Sequence, residues 1–202
     1  MGEKPNKNTL VEEPAAVYTA RDYLLDQFDE AVEIIKGKLF KMAPAPTPNH
    51  QSVSHDLVLQ IGLYFREKNC RVFEAPFDVY LVKPGEDFHD SKNVVQPDLC
   101  VICDETKIQK QGCIGAPDFI VEILSPRTAK KDQTVKRAIY EEHGVRELWI
   151  IHPIEKNLYI HLWEDGHFRT LPPYVKDQKV HSVIFPELEV DLKQVFRYVR
   201  ED

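Results

Sequence analysis

Two carboxylates lie at the edge of, or inside, apolar runs in the middle of the chain. Asp98 immediately precedes the run LCVIC (99–103), and Glu122 lies within the run FIVEIL (119–124). A charge inside such a run needs a partner, because an unpaired buried charge is costly. If the two runs are neighbouring strands, the carboxylates lie side by side and could bind a hard cation such as Mg²⁺ or Mn²⁺. Such a site suits phosphodiester hydrolysis, because a bound cation activates water and offsets phosphate charge.

A lysine near these carboxylates would complete this chemistry, since it can orient the attacking water or stabilise the transition state. The segment after the second run offers Lys136. A helix there would place Asp132, Lys136 and Tyr140 on one face, at i, i+4 and i+8. Lys130 and Lys131 are rival lysines. A purely structural alternative remains open, in which Lys136 only forms an ion pair with Asp132 or neutralises a buried carboxylate.

The apolar periodicity predicts the elements that must position these residues. In chain order they are a helix over 19–28, a hairpin over 32–42 turning at Lys36-Gly37, a helix over 48–68, strands over 70–75 and 77–82, central strands over 98–103 and 118–124, a helix over 128–143, a strand over 146–153, a hairpin over 157–171 turning at Asp165-Gly166, a short strand over 179–184 and a helix over 191–199. Polar loops are expected over 83–93, 104–117 and 172–179. Strands mixed with helices in this order predict an α/β (α+β) fold with a mixed sheet.

Length and charge limit the class of protein. The chain has 202 residues, which suits one domain, and we predict a flexible arm over 1–17 followed by a single domain over 18–202. Its net charge of −7 counts against a nonspecific nucleic-acid binder, although a local basic face or a bound metal can offset phosphate charge. The sequence contains no apolar run long enough for a membrane helix and no secretory signal. We therefore expect a cytoplasmic protein with no membrane partner.

The four cysteines are Cys70, Cys100, Cys103 and Cys113. Cys100 and Cys103 have the CxxC spacing of many zinc and redox sites. Here the spacing falls within a strand-like run, where residues three apart point to opposite faces and cannot share a metal without distortion. We therefore predict buried or half-buried free thiols.

Five segments match one known family, in its order and at its usual spacing. They are EIIKGKLFKMAPAPTPNHQSV (33–53), VVQPDLCVICD (94–104), GAPDFIVEILSP (115–126), DQTVKRAIYEEHGV (132–145) and RELWIIHP (146–153). In these segments the chain resembles the Uma family of restriction endonucleases, within the PD-(D/E)XK nuclease superfamily. The resemblance implies a restriction-endonuclease-like mixed sheet flanked by helices, a Mg²⁺ or Mn²⁺ site and nuclease chemistry.

The resemblance also implies roles for particular residues. Asp98 matches the first metal-binding aspartate, and Glu122 matches the acidic residue of the second half of the motif. The backbone carbonyl of Ile123 would be the third protein ligand. Leu124 stands where the superfamily pattern has its lysine. The resemblance therefore implies that the lysine has moved to the following helix, at Lys136.

Three further positions match family residues near the same pocket. Glu33 would hold the metal through water, or is only a charge on a strand surface. His50 would contact the substrate phosphate or transfer a proton, or is only a residue that caps or packs a helix start. Gln96 precedes the Pro-Asp pair and would line the pocket.

Three functions remain open on this basis. The first is a metal-dependent DNA endonuclease that acts as a homodimer, because a duplex has two strands to cut. The second is a catalytically weak or inactive nuclease-fold protein that binds nucleic acid or a protein partner, which Leu124 and the negative net charge favour. The third is a hydrolase of a small phosphorylated substrate, which would need an enclosed pocket and no basic face.

Overall fold

The computed structural model describes residues 16–25, 28–42, 45–125 and 131–200, without the side chains of 131 and 132. The arm predicted over 1–17 therefore lies almost wholly outside the described residues. Lys130 lies outside them as well, and so do the side chains of Lys131 and Asp132.

The described chain contains fifteen strands, most of them short. They are β1 (Val32–Ile35), β2 (Lys38–Lys41), β3 (Arg71–Glu74), β4 (Val79–Tyr80), β5 (Val94–Val95), β6 (Leu99–Ile102), β7 (Ile108–Gln109), β8 (Gly112–Ile114), β9 (Phe119–Ile123), β10 (Glu147–His152), β11 (Asn157–Glu164), β12 (His167–Thr170), β13 (Tyr174–Val175), β14 (Lys179–His181) and β15 (Glu189–Asp191). The central sheet has the order β12-β11-β10-β9-β6-β3, with β13 beside β11. The outer sheet has the order β2-β1-β5-β4-β8-β7, and β14 pairs with β15 separately.

Four α-helices accompany the sheets: α1 (Ala20–Leu24), α2 (Pro48–Phe65), α3 (Arg137–Glu142) and α4 (Leu192–Val195). A π-helical segment, Lys131–Lys136, runs directly into α3. The start of α2 is set by Thr47, whose hydroxyl accepts a hydrogen bond from the backbone N–H of His50, and by Pro48, which suits a first helical position. No helix in these ranges combines the length and apolar character that crossing a bilayer requires.

The central sheet is buried on both faces. One face carries Leu99, Phe119 and Trp149 and packs against α2 and the C-terminal segment. The opposite face carries Cys100 and Ile120 and packs against α3 and the outer sheet. Strands buried on both sides read as continuous apolar runs, which is why 99–103 and 119–124 lack alternation. Strand β9 pairs antiparallel with β6 and parallel with β10, so the predicted mixed sheet is confirmed.

The predicted hairpins at 32–42 and 157–171 are confirmed, with Lys36, Gly37, Asp165 and Gly166 all at positive φ in the two turns. The predicted loop over 104–117 is wrong in part, because it contains the short hairpin of β7 and β8. Gly112 allows this hairpin to approach the outer sheet. Its φ is +141°, and a Cβ there would collide with the backbone carbonyl of Asp78.

The prediction of free thiols is wrong for two of the four cysteines. Cys70 and Cys103 form a disulfide, while Cys100 and Cys113 are buried free thiols. Strands β3 and β6 pair antiparallel with Arg71 opposite Ile102, so the next residues outward, Cys70 and Cys103, lie opposite each other with Cα atoms 4.0 Å apart. This pairing depends on strand register, which spacing along one run does not show. Cys100 and Cys103 do lie on opposite faces of the sheet.

The hairpin of β11 and β12 supports α3. The indole N–H of Trp163 donates to the backbone carbonyl of Glu141, and the Glu141 carboxylate accepts from the backbone N–H of Phe168. Arg137 donates to His161 Nδ1 at 3.4 Å. Burial and the neighbouring guanidinium lower the pKa of His161 to about 4, so the imidazole is neutral near pH 7.

A second buried carboxylate, Glu147, joins the central sheet to the C-terminal segment. One oxygen accepts from the indole N–H of Trp149 at 2.6 Å. The other accepts from the Ser182 hydroxyl and from the backbone N–H groups of Val183 and Ile184, at 2.9–3.0 Å. Burial raises the pKa of Glu147, and these donors oppose that rise. Glu147 is thus a structural carboxylate whose two oxygens both accept hydrogen bonds.

Replacing Glu147 with alanine is expected to lower the free energy of unfolding by about 3 kcal/mol, because four donors lose their acceptor and two of them, on Trp149 and Ser182, are buried. Urea denaturation of Glu147→Ala against wild type measures the loss. Glu155→Ala is the control, because the Glu155 side chain is largely exposed. Equal stability of the two variants would contradict the structural role of Glu147.

Candidate active site

The pairing of β6 with β9 brings the two predicted carboxylates together. Leu99 lies opposite Val121, so Asp98 and Glu122 are the next residues outward on the two strands. Asp98 Oδ2 accepts a hydrogen bond from the backbone N–H of Ile123 at 2.6 Å. This bond fixes the Asp98 carboxylate at the end of β9, beside Glu122.

Lys136 reaches back from the helical segment to these strands. Its Nζ lies 3.0 Å from Glu122 Oε1 and 2.8 Å from Glu33 Oε1, and its side chain is only 5% exposed. Glu33 comes from β1 of the outer sheet, so the ammonium group bridges carboxylates from two different sheets. The Nζ also lies 3.5 Å from the backbone carbonyl of Gln96. Lys136 thus neutralises buried carboxylates, as one of the structural alternatives expected, whereas the ion pair with Asp132 considered from the sequence lies outside the described residues.

Tyr140 lies one helical turn beyond Lys136 and faces the same carboxylate. Its hydroxyl donates to Glu122 Oε1 at 2.6 Å, and its side chain is fully buried. The spacing of four residues that predicted a common face for Lys136 and Tyr140 therefore agrees with the structure. Glu122 accepts from both residues, so the helix and the strand are locked together at this point.

Gln96 belongs to the segment that joins the outer sheet to the central sheet. Its backbone N–H donates to Glu33 Oε1 at 3.1 Å. Its side-chain amide donates to Asp78 Oδ1 at 2.7 Å. The backbone of Gln96 therefore holds both Glu33 and Lys136, while its side chain points to a different acidic residue.

His50 approaches Asp98 from the first turn of α2. Its Nε2 lies 3.1 Å from Asp98 Oδ1, and both side chains are largely buried. Because Thr47 fixes the start of the helix, the position of the imidazole follows from the cap. The structure thus brings all seven predicted site residues into one contiguous set.

Two residues that hold the side chain of Gln96, Tyr23 and Asp78, were not predicted from the sequence. Asp78 accepts from the hydroxyl of Tyr23 at 2.9 Å as well as from Gln96. Burial and the adjacent Asp78 charge raise the pKa of the Tyr23 hydroxyl, so it remains a donor at neutral pH. No short motif marks this pair, since Tyr23 and Asp78 are 55 residues apart. Leu124, at the position of the expected lysine, is 5% exposed and packs in the core beside α3.

The donor set fits a hard divalent cation. Glu33 and Glu122 contact Lys136, and Asp98 lies beside Glu122 on the next strand, so three carboxylates accompany one lysine and a cation would offset the excess negative charge. In the described ranges no group of three or more His, Cys, Asp or Glu side chains is arranged to hold a metal. Two carboxylates with a backbone carbonyl are nonetheless enough for Mg²⁺, which keeps several waters.

Comparisons with known proteins agree with this architecture. The family model described as "Uma2: Putative restriction endonuclease" matches residues 18–193. No curated protein matches the chain. Among solved structures, a crystal structure from Anabaena variabilis ATCC 29413, described as "a putative nuclease belonging to DUF820", superposes with a TM-score of 0.70 at 22% identity. The match covers 91% of this chain and 99% of that one. At this identity the likeness shows the fold.

Proposed function

The chain belongs to the Uma2 family, and from that premise we propose that it is a metal-dependent endonuclease that hydrolyses DNA phosphodiester bonds. The observation that carries this proposal is the buried contact of Lys136 with Glu122, beside Asp98. Lys136, in the helical segment after β9, supplies the positively charged side chain that Leu124 lacks at the position of the superfamily's lysine. The family match supports nuclease chemistry in general, and the DNA substrate and the metal are the proposed refinements.

In this proposal Asp98, Glu122 and the backbone carbonyl of Ile123 would hold Mg²⁺ or Mn²⁺. The bound cation would lower the pKa of a water ligand and offset charge on the scissile phosphate. Lys136 orients the attacking water and stabilises the transition-state charge. His50, held by Asp98, donates a proton or a hydrogen bond to the phosphate.

The remaining predicted residues position the lysine. Glu33 and the backbone of Gln96 contact the Lys136 ammonium group, and Glu33 is itself held by the Gln96 N–H. We further propose that the enzyme acts as a homodimer in the cytoplasm, with one active site for each strand of a duplex. The arm over 1–17 and the single domain over 18–202 belong to the same proposal.

A cleavage assay tests the proposed function. Wild-type protein is expected to nick and linearise supercoiled plasmid with Mg²⁺ or Mn²⁺, and chelation with EDTA is expected to stop the reaction. Asp98→Asn is expected to lower metal affinity by at least tenfold, because the neutral amide is a weaker ligand for a hard cation. Titration calorimetry with Mn²⁺ measures that loss independently of cleavage. Cleavage that persists in EDTA, or an unchanged Mn²⁺ affinity, would contradict the metal role.

A second candidate function is a nuclease-fold protein that binds nucleic acid without cutting it. The observation in its favour is that Lys136 forms ion pairs with two buried carboxylates. A lysine held in this way can serve the fold without taking part in cleavage. If wild type binds DNA in the presence of Mn²⁺ but leaves plasmid and single strands intact, this second function replaces the first.

A further inference from the structure

A cavity of about 500 Å³ lies where the first turn of α2 meets the C-terminal segment after α4. Asn49 and Ser52 line it from the helix, and Arg197, Tyr198 and Arg200 line it from the C-terminal segment. We call this space the arginine cavity. Its volume is within the range of small-molecule sites, roughly 300–1,000 Å³.

The walls of the arginine cavity are held by buried polar contacts. The side-chain amide of Asn49, only 9% exposed, donates to the backbone carbonyl of Arg200 at 3.0 Å. Its carbonyl oxygen accepts from the Arg200 backbone N–H at 3.0 Å. This paired contact fixes the C-terminal segment on α2, so Arg200 is presented from an anchored backbone.

Contacts with neighbouring side chains also position Arg197 beside Tyr198. The Arg197 guanidinium lies 4.5 Å from the ring centre of Tyr198, 3.2 Å from the Gln194 side-chain oxygen and 3.6 Å from the buried carboxylate of Asp56. Its side chain nevertheless stays 46% exposed, and Tyr198 is 62% exposed. A planar cation beside an aromatic ring, both open to solvent, suits a phosphate next to a stacked base.

The charge of the arginine cavity contrasts with that of the protein. Among the described residues that line it, two are arginines and none is acidic, and the Asp56 carboxylate contacts only Arg197 of the two, whereas the chain as a whole carries −7. Arg197 is paired with Asp56, so the positive charge left over on the described lining is that of Arg200, and an excess positive charge on an acidic protein favours an anionic ligand at that place. Glu201 and Asp202 follow in the sequence, outside the described residues, so any binding measurement uses the full chain.

The location links the cavity to the candidate active site. Asn49 precedes His50, whose imidazole contacts Asp98, and neighbouring Cα atoms are about 3.8 Å apart. We infer that the arginine cavity binds the nucleic-acid strand beside the scissile bond, with Arg197 and Arg200 on a backbone phosphate and Tyr198 stacked on the adjoining base. This inference rests on the proposed function and adds a binding subsite to it.

Binding without cleavage tests the inference. Fluorescence anisotropy of a labelled single strand and a duplex, with Ca²⁺ in place of Mg²⁺, gives Kd over a salt series. Arg197→Ala/Arg200→Ala is expected to weaken binding at least tenfold and to reduce the slope of log Kd against log salt by about 1–2, since each lost phosphate contact removes roughly one unit. Tyr198→Ala is expected to weaken single-strand binding about fivefold or more with the slope unchanged.

The other end of α2 provides a matched control. A cavity of about 360 Å³ there is also lined by two exposed arginines, Arg66 and Arg71, and Arg71 pairs with Ile102, at the opposite end of β6 from Asp98. Arg66→Ala/Arg71→Ala is expected to change Kd by less than twofold. If Arg197→Ala disturbs folding through its contact with Asp56, the single reversal Arg200→Glu tests the same site and is expected to weaken binding at least tenfold.

Three results would overturn the inference: no binding by wild type at low salt, equal effects of the two arginine pairs, or an unchanged salt slope in Arg197→Ala/Arg200→Ala. The proposed function is judged separately, by plasmid cleavage. Cleavage with unchanged Kd in the arginine variants would leave the nuclease standing and remove the subsite. Salt-dependent binding without cleavage by wild type would leave the subsite standing and remove the nuclease.

Discussion

Replacing Glu122 with glutamine is expected to reduce DNA cleavage by roughly 10³-fold or more while the fold is retained. The amide keeps the shape of the side chain and an acceptor for Tyr140, but it removes the charge proposed to hold the metal. Lys136 remains paired with Glu33, so no buried cation is left alone. Single-turnover cleavage at saturating Mn²⁺ measures the loss, and circular dichroism shows whether the fold persists.

The matched control for Glu122→Gln is Glu147→Gln. Both carboxylates are buried in the central sheet on neighbouring parallel strands, but they face opposite sides of it. Glu147→Gln is therefore expected to lower stability by about 1–2 kcal/mol and to leave cleavage per folded molecule within twofold. If the two variants lose activity equally, the loss reflects the sheet rather than the proposed metal site.

Replacing Lys136 with methionine is expected to reduce cleavage by roughly 10²-fold or more and to lower the free energy of unfolding by about 3–5 kcal/mol. The stability falls because Glu33 and Glu122, both buried, lose the cation between them. Urea denaturation and cleavage rates give the two effects separately.

A double variant separates stability from chemistry at Lys136. In Lys136→Met/Glu33→Gln one buried charge is removed together with the cation, so about half of the lost stability is expected to return. Cleavage is expected to stay at the level of the single variant, because the cation is still missing. Recovery of cleavage along with stability would show that Lys136 is a structural residue only.

The parts of the fold that follow from local patterns could be predicted from sequence. The apolar runs predicted the central strands. The pairs Lys36-Gly37 and Asp165-Gly166 predicted the turns of the two hairpins, and Pro48 predicted the start of α2. The residues of the candidate site came partly from the same runs and partly from family resemblance. The sequence predicted that Asp98 and Glu122 lie close together, because residues at facing positions of two neighbouring strands are side by side.

The remaining features depend on contacts between distant segments. The Cys70–Cys103 disulfide needs the register of β3 against β6, and the bridge from Lys136 to Glu33 needs the outer sheet above α3. The arginine cavity joins residues 151 positions apart, through Asn49 and Arg200. Periodicity reports which side of an element is buried, but it does not report which other element covers that side.

The support of α3 by the β11–β12 hairpin has a consequence for how activity could be lost. The central sheet carries Asp98 and Glu122, whereas Lys136 lies directly before α3. That short helix is held in place by contacts with Trp163, Phe168 and His161. Partial opening of that helix would withdraw the lysine while the strands stay intact, since local opening costs less than global unfolding. Turnover in this protein would then report the fraction of molecules with a closed helix, and hydrogen exchange of the 137–142 amides would follow the same equilibrium.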